Sequence, residues 1–126
     1  PEAYVWVHAQ SEKDRPTHDW VAREGAWLEF DGVGWGSLDT HVNAVVDMKR
    51  RGFLGSVLLS HDAGWYHVGE PGGGEYRPHT VLFDRFVPAL RARGLDDDDI
   101  RTLLVDNPAR AFAIGVRPLG PSRSSA

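Results

Sequence analysis

The sequence contains no cysteine, and this absence excludes disulfide bonds, thiolate metal sites and cysteine nucleophiles. It has no apolar run approaching about 18 residues, the length that indicates a membrane-spanning helix. Acidic residues outnumber basic ones, and the net charge of −4 argues against a general nucleic-acid-binding protein, which would present a basic face. Histidine and carboxylate chemistry remains open, since the chain has six histidines and 18 acidic residues.

The composition is that of one folded domain. Hydrophobic residues make up 41% of the chain and charged residues 25%, which excludes wholesale disorder. A length of 126 residues leaves no room for two ordinary domains. The chain begins at Pro1 and not at a methionine, so we expect the natural start to lie upstream, and no compartment can be read from the sequence.

Strand and helix patterns alternate along the chain. Aromatic and β-branched residues predict strands over residues 4–8, 26–31 and 56–60. Apolar periodicity and glycine stops predict helices over 18–24, 38–51 and 81–93, and acidic residues 96–99 begin a last helical region. A loop of about twenty residues, 61–80, follows the third strand, and loops of that length are usually functional or disordered.

This alternation predicts an α/β fold in which parallel strands are joined by crossover helices. Three strands leave two open edges, which natural proteins normally cover or close. A complete (β/α)8 barrel needs about 250 residues, so this chain is about half that length. The sequence therefore reads as a piece of a larger structure.

Each predicted strand ends in a polar group: His8, Asp31 and then Ser60, His61 and Asp62. For any one strand end, ordinary contact with solvent is the better explanation. Three such ends at one edge of a parallel sheet favour a functional site. A histidine and an aspartate from different strands are suitable ligands for a zinc-like divalent metal, and the carboxylate can also accept a proton.

Four segments closely resemble the C-terminal end of the phosphotriesterase-like branch of the amidohydrolase superfamily. The resemblance covers about residues 4–113, and its most specific elements are the strand that ends in Asp62 and the DNPARAF sequence of residues 106–112. The matching segments are WVHAQ (6–10), AWLEFDGVG (26–34), LLSHDAGWY (58–66) and FDRFVPALRARGLDDDDIRTLLVDNPARAFA (83–113).

The resemblance implies the C-terminal part of a TIM (β/α)8 barrel. Residues 1–114 would form about three βα units, units six to eight, and residues 115–126 a flexible tail. The implied activity is that of a hydrolase with two divalent metal ions, zinc or a similar ion. A metal-bridging hydroxide would attack a small-molecule phosphotriester, lactone or related ester.

The resemblance also implies roles for individual residues. His8 would bind one metal, while Asp62 would bind the other and take up a proton as the catalytic residue. Asp31 would lie near the substrate. Trp65 and Tyr66 would line the substrate pocket, although a small hydrophobic cluster under the long loop explains them equally well.

Other family ligands are missing from this chain. The family needs a His-x-His pair, a carboxylated lysine and a further histidine on earlier strands. The sequence has no His-x-His, and its two lysines, Lys13 and Lys49, lie in a predicted loop and a predicted helix. The chain would supply one ligand to each metal, so we expect it to be inactive in isolation.

The remaining polar features are predicted to be structural. His61 should point away from the Asp62 side, because adjacent side chains alternate along a strand, and should either support the metal ligands from behind or pack against its neighbours. The acidic residues 96–99 should cap a helix, and residues 106–108 should turn the chain between two last helices. His18, His41 and His79 are given no catalytic role.

The alternative function is a non-catalytic α/β half-barrel that acts as an assembly or packing module. It would pair with an N-terminal half, or with itself as a homodimer, through the open strand edges. Weak, non-stoichiometric zinc binding is the expected signature of this alternative. A flavodoxin-like ligand-binding domain is disfavoured, because residues 9–17 lack the glycine of a phosphate-binding loop.

Overall fold

A three-stranded parallel sheet organises the protein. The computed structural model describes residues 3–114. The strands are β1 (Val5–Trp6), β2 (Trp27–Phe30) and β3 (Val57–Leu59), in the order β1-β2-β3. Val5 lies opposite Trp27, and Leu28 lies opposite Val57. Since all strands run in the same direction, their carboxyl ends meet at one edge of the sheet.

Within residues 3–114 the sheet is accompanied by five α-helices: α1 (Arg15–Arg23), α2 (Leu38–Arg50), α3 (Val87–Ala92), α4 (Asp97–Arg101) and α5 (Asn107–Ala111). The predicted alternation of strands and helices is confirmed. Asp96 and Asp99 form a reciprocal capping box at the start of α4, as the acidic run predicts. None of the helices within residues 3–114 is long and apolar enough to cross a membrane.

The first βα unit differs from its prediction. β1 contains two residues and not five, and His8 has a left-handed φ of 56°. That conformation is incompatible with a strand, so His8 follows β1 and begins a short 3₁₀ turn, Ala9–Ser11. Helix α1 begins at Arg15, three residues earlier than predicted, with Pro16 in its first turn, where proline is favoured.

The predicted turn at residues 106–108 is wrong. The chain stays helical there, passing through a π-helical segment, Thr102–Asp106, directly into α5. The same arrangement precedes α3, where the π segment Leu82–Phe86 leads to Pro88. Proline lacks an N–H and crowds the carbonyl four residues earlier, so a wider turn before Pro88 and Pro108 accommodates the ring.

The core lies between the sheet and the helices. Asn107 is a buried polar residue within it, and its Nδ2 donates hydrogen bonds to the carbonyls of Leu54 (2.9 Å) and Val57 (2.8 Å). The DNPARAF sequence therefore has the structural role expected of it, although not as a turn. Among the described residues, the largest fully buried apolar side chains are Leu28, Phe30, Val33, Val42, Val45, Met48, Val57, Phe86, Leu90 and Leu103.

The predicted flexible tail, residues 115–126, lies outside the described residues.

Candidate functional site

His8 and Asp31 form a hydrogen-bonded pair across the ends of β1 and β2. His8 Nδ1 lies 2.8 Å from Asp31 Oδ1, and the backbone N–H of His8 donates to Asp31 Oδ2 at 2.8 Å. Gln10 Nε2 donates to the same carboxylate and, at 2.9 Å, to the Asp31 carbonyl. The Asp31 side chain is 8% exposed, whereas the His8 side chain is 66% exposed. The pair therefore leaves the His8 ring edge with Nε2 open to solvent.

The pair shifts the pKa values of both its members. The hydrogen bond to Asp31, followed by the charge of that carboxylate, raises the pKa of His8 above its ordinary value. The charge of Asp62 acts on His8 in the same direction. Burial alone would raise the pKa of Asp31, but the hydrogen bonds from Gln10 and His8 outweigh it and lower that pKa.

Two buried histidines hold the chain just beyond β1 and β2. His18, in α1, donates from Nε2 to the carbonyl of Ala9 at 2.8 Å. His41, in α2, donates from Nε2 to the carbonyl of Asp31 at 2.7 Å. Burial lowers the pKa of His18, so this ring is neutral at pH 7. Each helix thus fixes the end of the strand that precedes it.

Asp62 follows β3 in a left-handed conformation, with φ 48°. Its backbone carbonyl accepts two indole N–H groups, from Trp35 at 2.8 Å and from Trp65 at 3.0 Å. Asp62 is exposed, and its negative charge contributes to the raised pKa of His8. The structure therefore brings His8, Asp31 and Asp62 to the same edge of the sheet.

His61 takes the packing role predicted for it. Its Nε2 accepts the backbone N–H of Leu82 at 2.9 Å, at the start of the helical segment that leads to α3. The ring also contacts His79 and Phe83. Burial, followed by the charge of His79, lowers the pKa of His61, which keeps Nε2 available as an acceptor.

Trp65 and Tyr66 are positioned within the long loop. The Trp65 indole meets the Trp35 indole edge-on, with ring centroids 6.4 Å apart. The Tyr66 ring packs so closely on Gly73 that any Cβ there would overlap it. A pocket of 620 Å³ is lined by Asp62 and by apolar residues such as Leu59 and Leu103. Among the described residues, neither Trp65 nor Tyr66 lines this pocket.

The donor set fits part of a metal centre. Histidines that bind metals usually donate their other ring N–H to a carboxylate, and Asp31 does this for His8. Within residues 3–114, however, no group of three or more His, Asp or Glu side chains is arranged to hold a metal ion. His8 and Asp62 could each contribute one ligand to a larger site.

Sequence reasoning missed four residues that shape this site: Gln10, His18, His41 and Trp35. His18 and His41 could have been found from one shared feature, since each lies in the first half of the helix that follows a strand. Gln10 and Trp35 act through the conformation of loops, which no periodic pattern indicates.

Comparison with known proteins places this geometry in a family. The sequence model of the Phosphotriesterase family matches residues 4–112. A phosphotriesterase homology protein of Mycobacterium tuberculosis H37Rv is 33% identical over 98 residues, covering 70% of this chain and 29% of that protein. An N-acetyltaurine hydrolase of Dictyostelium discoideum is 28% identical over 119 residues, covering 80% and 32%.

Solved structures agree with this assignment. A resiniferatoxin-binding protein from Rhodobacter sphaeroides superposes with a TM-score of 0.74 at 30% identity, covering 88% of this chain and 34% of that one. The phosphotriesterase from Mycobacterium tuberculosis gives a TM-score of 0.73 at 28% identity, covering 86% and 36%. The chain spans about a third of the length of these relatives. It therefore belongs to the phosphotriesterase family and forms a part, about three βα units, of that family's (β/α)8 barrel.

Proposed function

We propose that this chain is the C-terminal part of a binuclear-metal-dependent hydrolase that cleaves phosphotriester, lactone or related ester bonds. The observation that carries the proposal is the His8–Asp31 pair, which orients an exposed imidazole at the carboxyl end of the sheet. The family membership supports hydrolytic chemistry at this edge. The same edge carries the active sites of (β/α)8 barrels.

His8 would bind one metal through Nε2. Its Nδ1–H would remain on the Asp31 carboxylate, which fixes the tautomer and the orientation of the ring. Asp62 would bind the other metal from the end of β3 and would accept a proton during turnover. A binuclear centre supplies a hydroxide near neutral pH and polarises the substrate oxygen.

The chain in isolation would be inactive under this proposal. It contributes one ligand to each metal, and two ligands cannot hold two metal ions. The missing ligands would come from the βα units that the family relatives carry in addition to the matched segment. Zinc is the metal proposed, because histidine and carboxylate side chains are donors that zinc accepts readily.

A chimera tests this proposal. Residues 4–112 would replace the matched segment of the Mycobacterium tuberculosis phosphotriesterase homology protein, and hydrolysis of phosphotriesters, lactones and N-acetyltaurine would be measured. N-acetyltaurine is included because the Dictyostelium discoideum relative is named for its hydrolysis. We expect zinc-dependent hydrolysis by the chimera and none by the 126-residue chain. A folded chimera that binds zinc but cleaves neither phosphotriesters nor lactones would contradict the proposed ester chemistry, and cleavage of N-acetyltaurine alone would indicate an amidase instead.

A second candidate function, an assembly module, is favoured by the apolar surface at the open edges. In the part of the chain that the structure describes, β1 and β3 each pair only with β2. Beside β1, Tyr4 and Trp20 are 59% and 61% exposed, and they line a 290 Å³ pocket with Val21 and Ala26. This surface suits a parallel strand followed by an amphipathic helix.

Sedimentation of the purified chain separates the two functions. An assembly module predicts a discrete dimer that Trp20→Glu converts to monomer, together with a folded but inactive chimera. A monomeric chain and an active chimera would exclude the assembly module.

A further inference from the structure

We propose that Trp35 and Trp65 are positioning residues that together fix the backbone of Asp62. The pair is called the indole clamp below. That the indole clamp fixes the Asp62 backbone is inferred from geometry alone, whereas the importance of the clamp for metal binding rests on the proposed function. The proposal changes the predicted role of Trp65 from lining the substrate pocket to holding the strand-end aspartate.

The first support is the hydrogen bonding at Asp62. Its carbonyl oxygen accepts the indole N–H groups of Trp35 at 2.8 Å and Trp65 at 3.0 Å, so both lone pairs have a donor. Asp62 has φ 48°, a left-handed conformation that is uncommon for residues other than glycine, although aspartate adopts it more readily than most. Two donors on its carbonyl stabilise the backbone in that conformation.

The second support is that the Trp35 indole is itself held in place. The backbone N–H of Trp35 donates to the carbonyl of Gly32 at 2.8 Å, closing a turn after β2. The Arg77 guanidinium lies 3.4 Å from the centre of the Trp35 ring. Gly34 has φ 105° and approaches Val81 so closely that a Cβ would lie 3.0 Å from its side chain. The turn that presents Trp35 therefore has little freedom to move.

The third support is a repeated arrangement at the three strand ends. Ring N–H groups of His18 and His41 bind the carbonyls of Ala9 and Asp31, each from the helix that follows the strand. β3 is followed by about twenty loop residues. The helical segment after β3 therefore begins too far along the chain to donate a histidine N–H to the end of β3 in the same way. The indole clamp supplies ring N–H donors to the Asp62 carbonyl in place of a helix histidine.

The clamp also links Asp62 to both neighbouring loops. Trp35 lies in the loop after β2, and Trp65 lies in the long loop after β3. The carbonyl of Arg77, further along the long loop, accepts the backbone N–H of Gly64 at 3.1 Å. A rearrangement of either loop would therefore be transmitted to the backbone of Asp62, and through it to the direction of its carboxylate.

Hydrogen exchange on the unaltered chain gives the first test. Indole N–H exchange would be followed by NMR for Trp35, Trp65 and Trp20, a residue that is 61% exposed. We expect slower exchange at Trp35 and Trp65 than at Trp20. Equal exchange at the three indoles would overturn the clamp without requiring any variant to fold.

Trp35→Phe and Trp65→Phe give the second test, because each keeps an aromatic ring but removes the N–H donor. The Asp62 ¹³Cα and ¹³Cβ shifts report whether its φ remains positive. We expect the double variant to move these shifts toward extended values, whereas Trp20→Phe leaves them unchanged. Unchanged Asp62 shifts in the double variant would contradict the proposal.

Zinc affinity in the chimera separates failure of the clamp from failure of the proposed function. If Asp62 is a ligand, Asp62→Ala weakens zinc binding, and we expect the Trp35→Phe, Trp65→Phe double variant to weaken it by about 10-fold or more. A loss with Asp62→Ala but none with the double variant would overturn the positioning role. No loss with Asp62→Ala would overturn the proposed function, and the NMR results alone would then decide the clamp.

Discussion

Nδ1 of His8 lies 2.8 Å from Oδ1 of Asp31, although the two residues are 23 positions apart in the sequence. The contact joins the ends of two neighbouring parallel strands. Resemblance to the family predicted that Asp31 lies near the substrate, whereas the structure directs its carboxylate to His8 and Gln10. Substrate contact by Asp31 stays a prediction, and orientation of His8 is the role that the geometry supports.

Replacement of Asp31 by asparagine should lower the pKa of His8. The hydrogen bond to the carboxylate is the largest cause of the raised pKa, and asparagine carries no negative charge. The imidazole pKa can be followed by NMR titration of the His8 ring signals. Asp62→Asn is the matched control and should lower the pKa less, because Asp62 acts on His8 by charge alone. An equal effect of the two variants would contradict the paired geometry.

His18 should lower the stability of the fold as the pH drops below about 6.5. The buried ring has a pKa below its ordinary value of 6.5, so the unfolded chain binds a proton that the folded chain resists. The free energy of unfolding then declines by at most about 1.4 kcal/mol per pH unit for this group. Urea unfolding between pH 7.5 and pH 5.5 measures the slope.

His18→Gln removes the titration while keeping a side-chain N–H that can reach the Ala9 carbonyl. We expect a shallower loss of stability in this variant than in the unaltered chain. Some pH dependence should remain, because the lowered pKa of His61 destabilises the fold as the pH falls, whereas the raised pKa of His8 acts in the opposite direction. If the free energy of unfolding depended on pH identically in His18→Gln and in the unaltered chain, His18 would not contribute to the pH dependence.

Asn107→Ala should destabilise the fold by about 2–3 kcal/mol. The substitution leaves the carbonyls of Leu54 and Val57 without their side-chain donor in the core. Thermal or urea unfolding measures the effect. Asn43→Ala removes an exposed hydrogen bond to Arg93 and should cost less than about 1 kcal/mol. Similar losses of stability in the two variants would contradict the claim that the buried Asn107 hydrogen bonds stabilise the fold more than an exposed one.

The alternation of elements was predictable from the sequence because it depends on local patterns. Apolar runs located β2 and β3, and glycines marked the helix ends. The π segments before Pro88 and Pro108 were not predictable, since a proline in a helical pattern indicates a bend or a stop equally well. The turn expected at Asp106–Pro108 was wrong for that reason.

The candidate site was only partly predictable. His8, Asp31 and Asp62 were identified because polar residues at parallel strand ends converge. The contacts that orient them depend on pairs 9, 10 and 27 positions apart: His18 with Ala9, His41 with Asp31, and Trp35 with Asp62. Such contacts follow from the packing of loops and helices on the sheet, and a linear pattern does not encode them.

The metal content of the purified chimera tests the central claim most directly, namely that His8 and Asp62 are metal ligands of a larger barrel. We predict two zinc ions per chimera, a clear loss in His8→Ala and in Asp62→Ala, and nearly full content in His61→Ala, whose ring binds the Leu82 N–H instead. Folding of each variant would be checked by circular dichroism. Full zinc content in folded His8→Ala and Asp62→Ala chimeras would contradict the account.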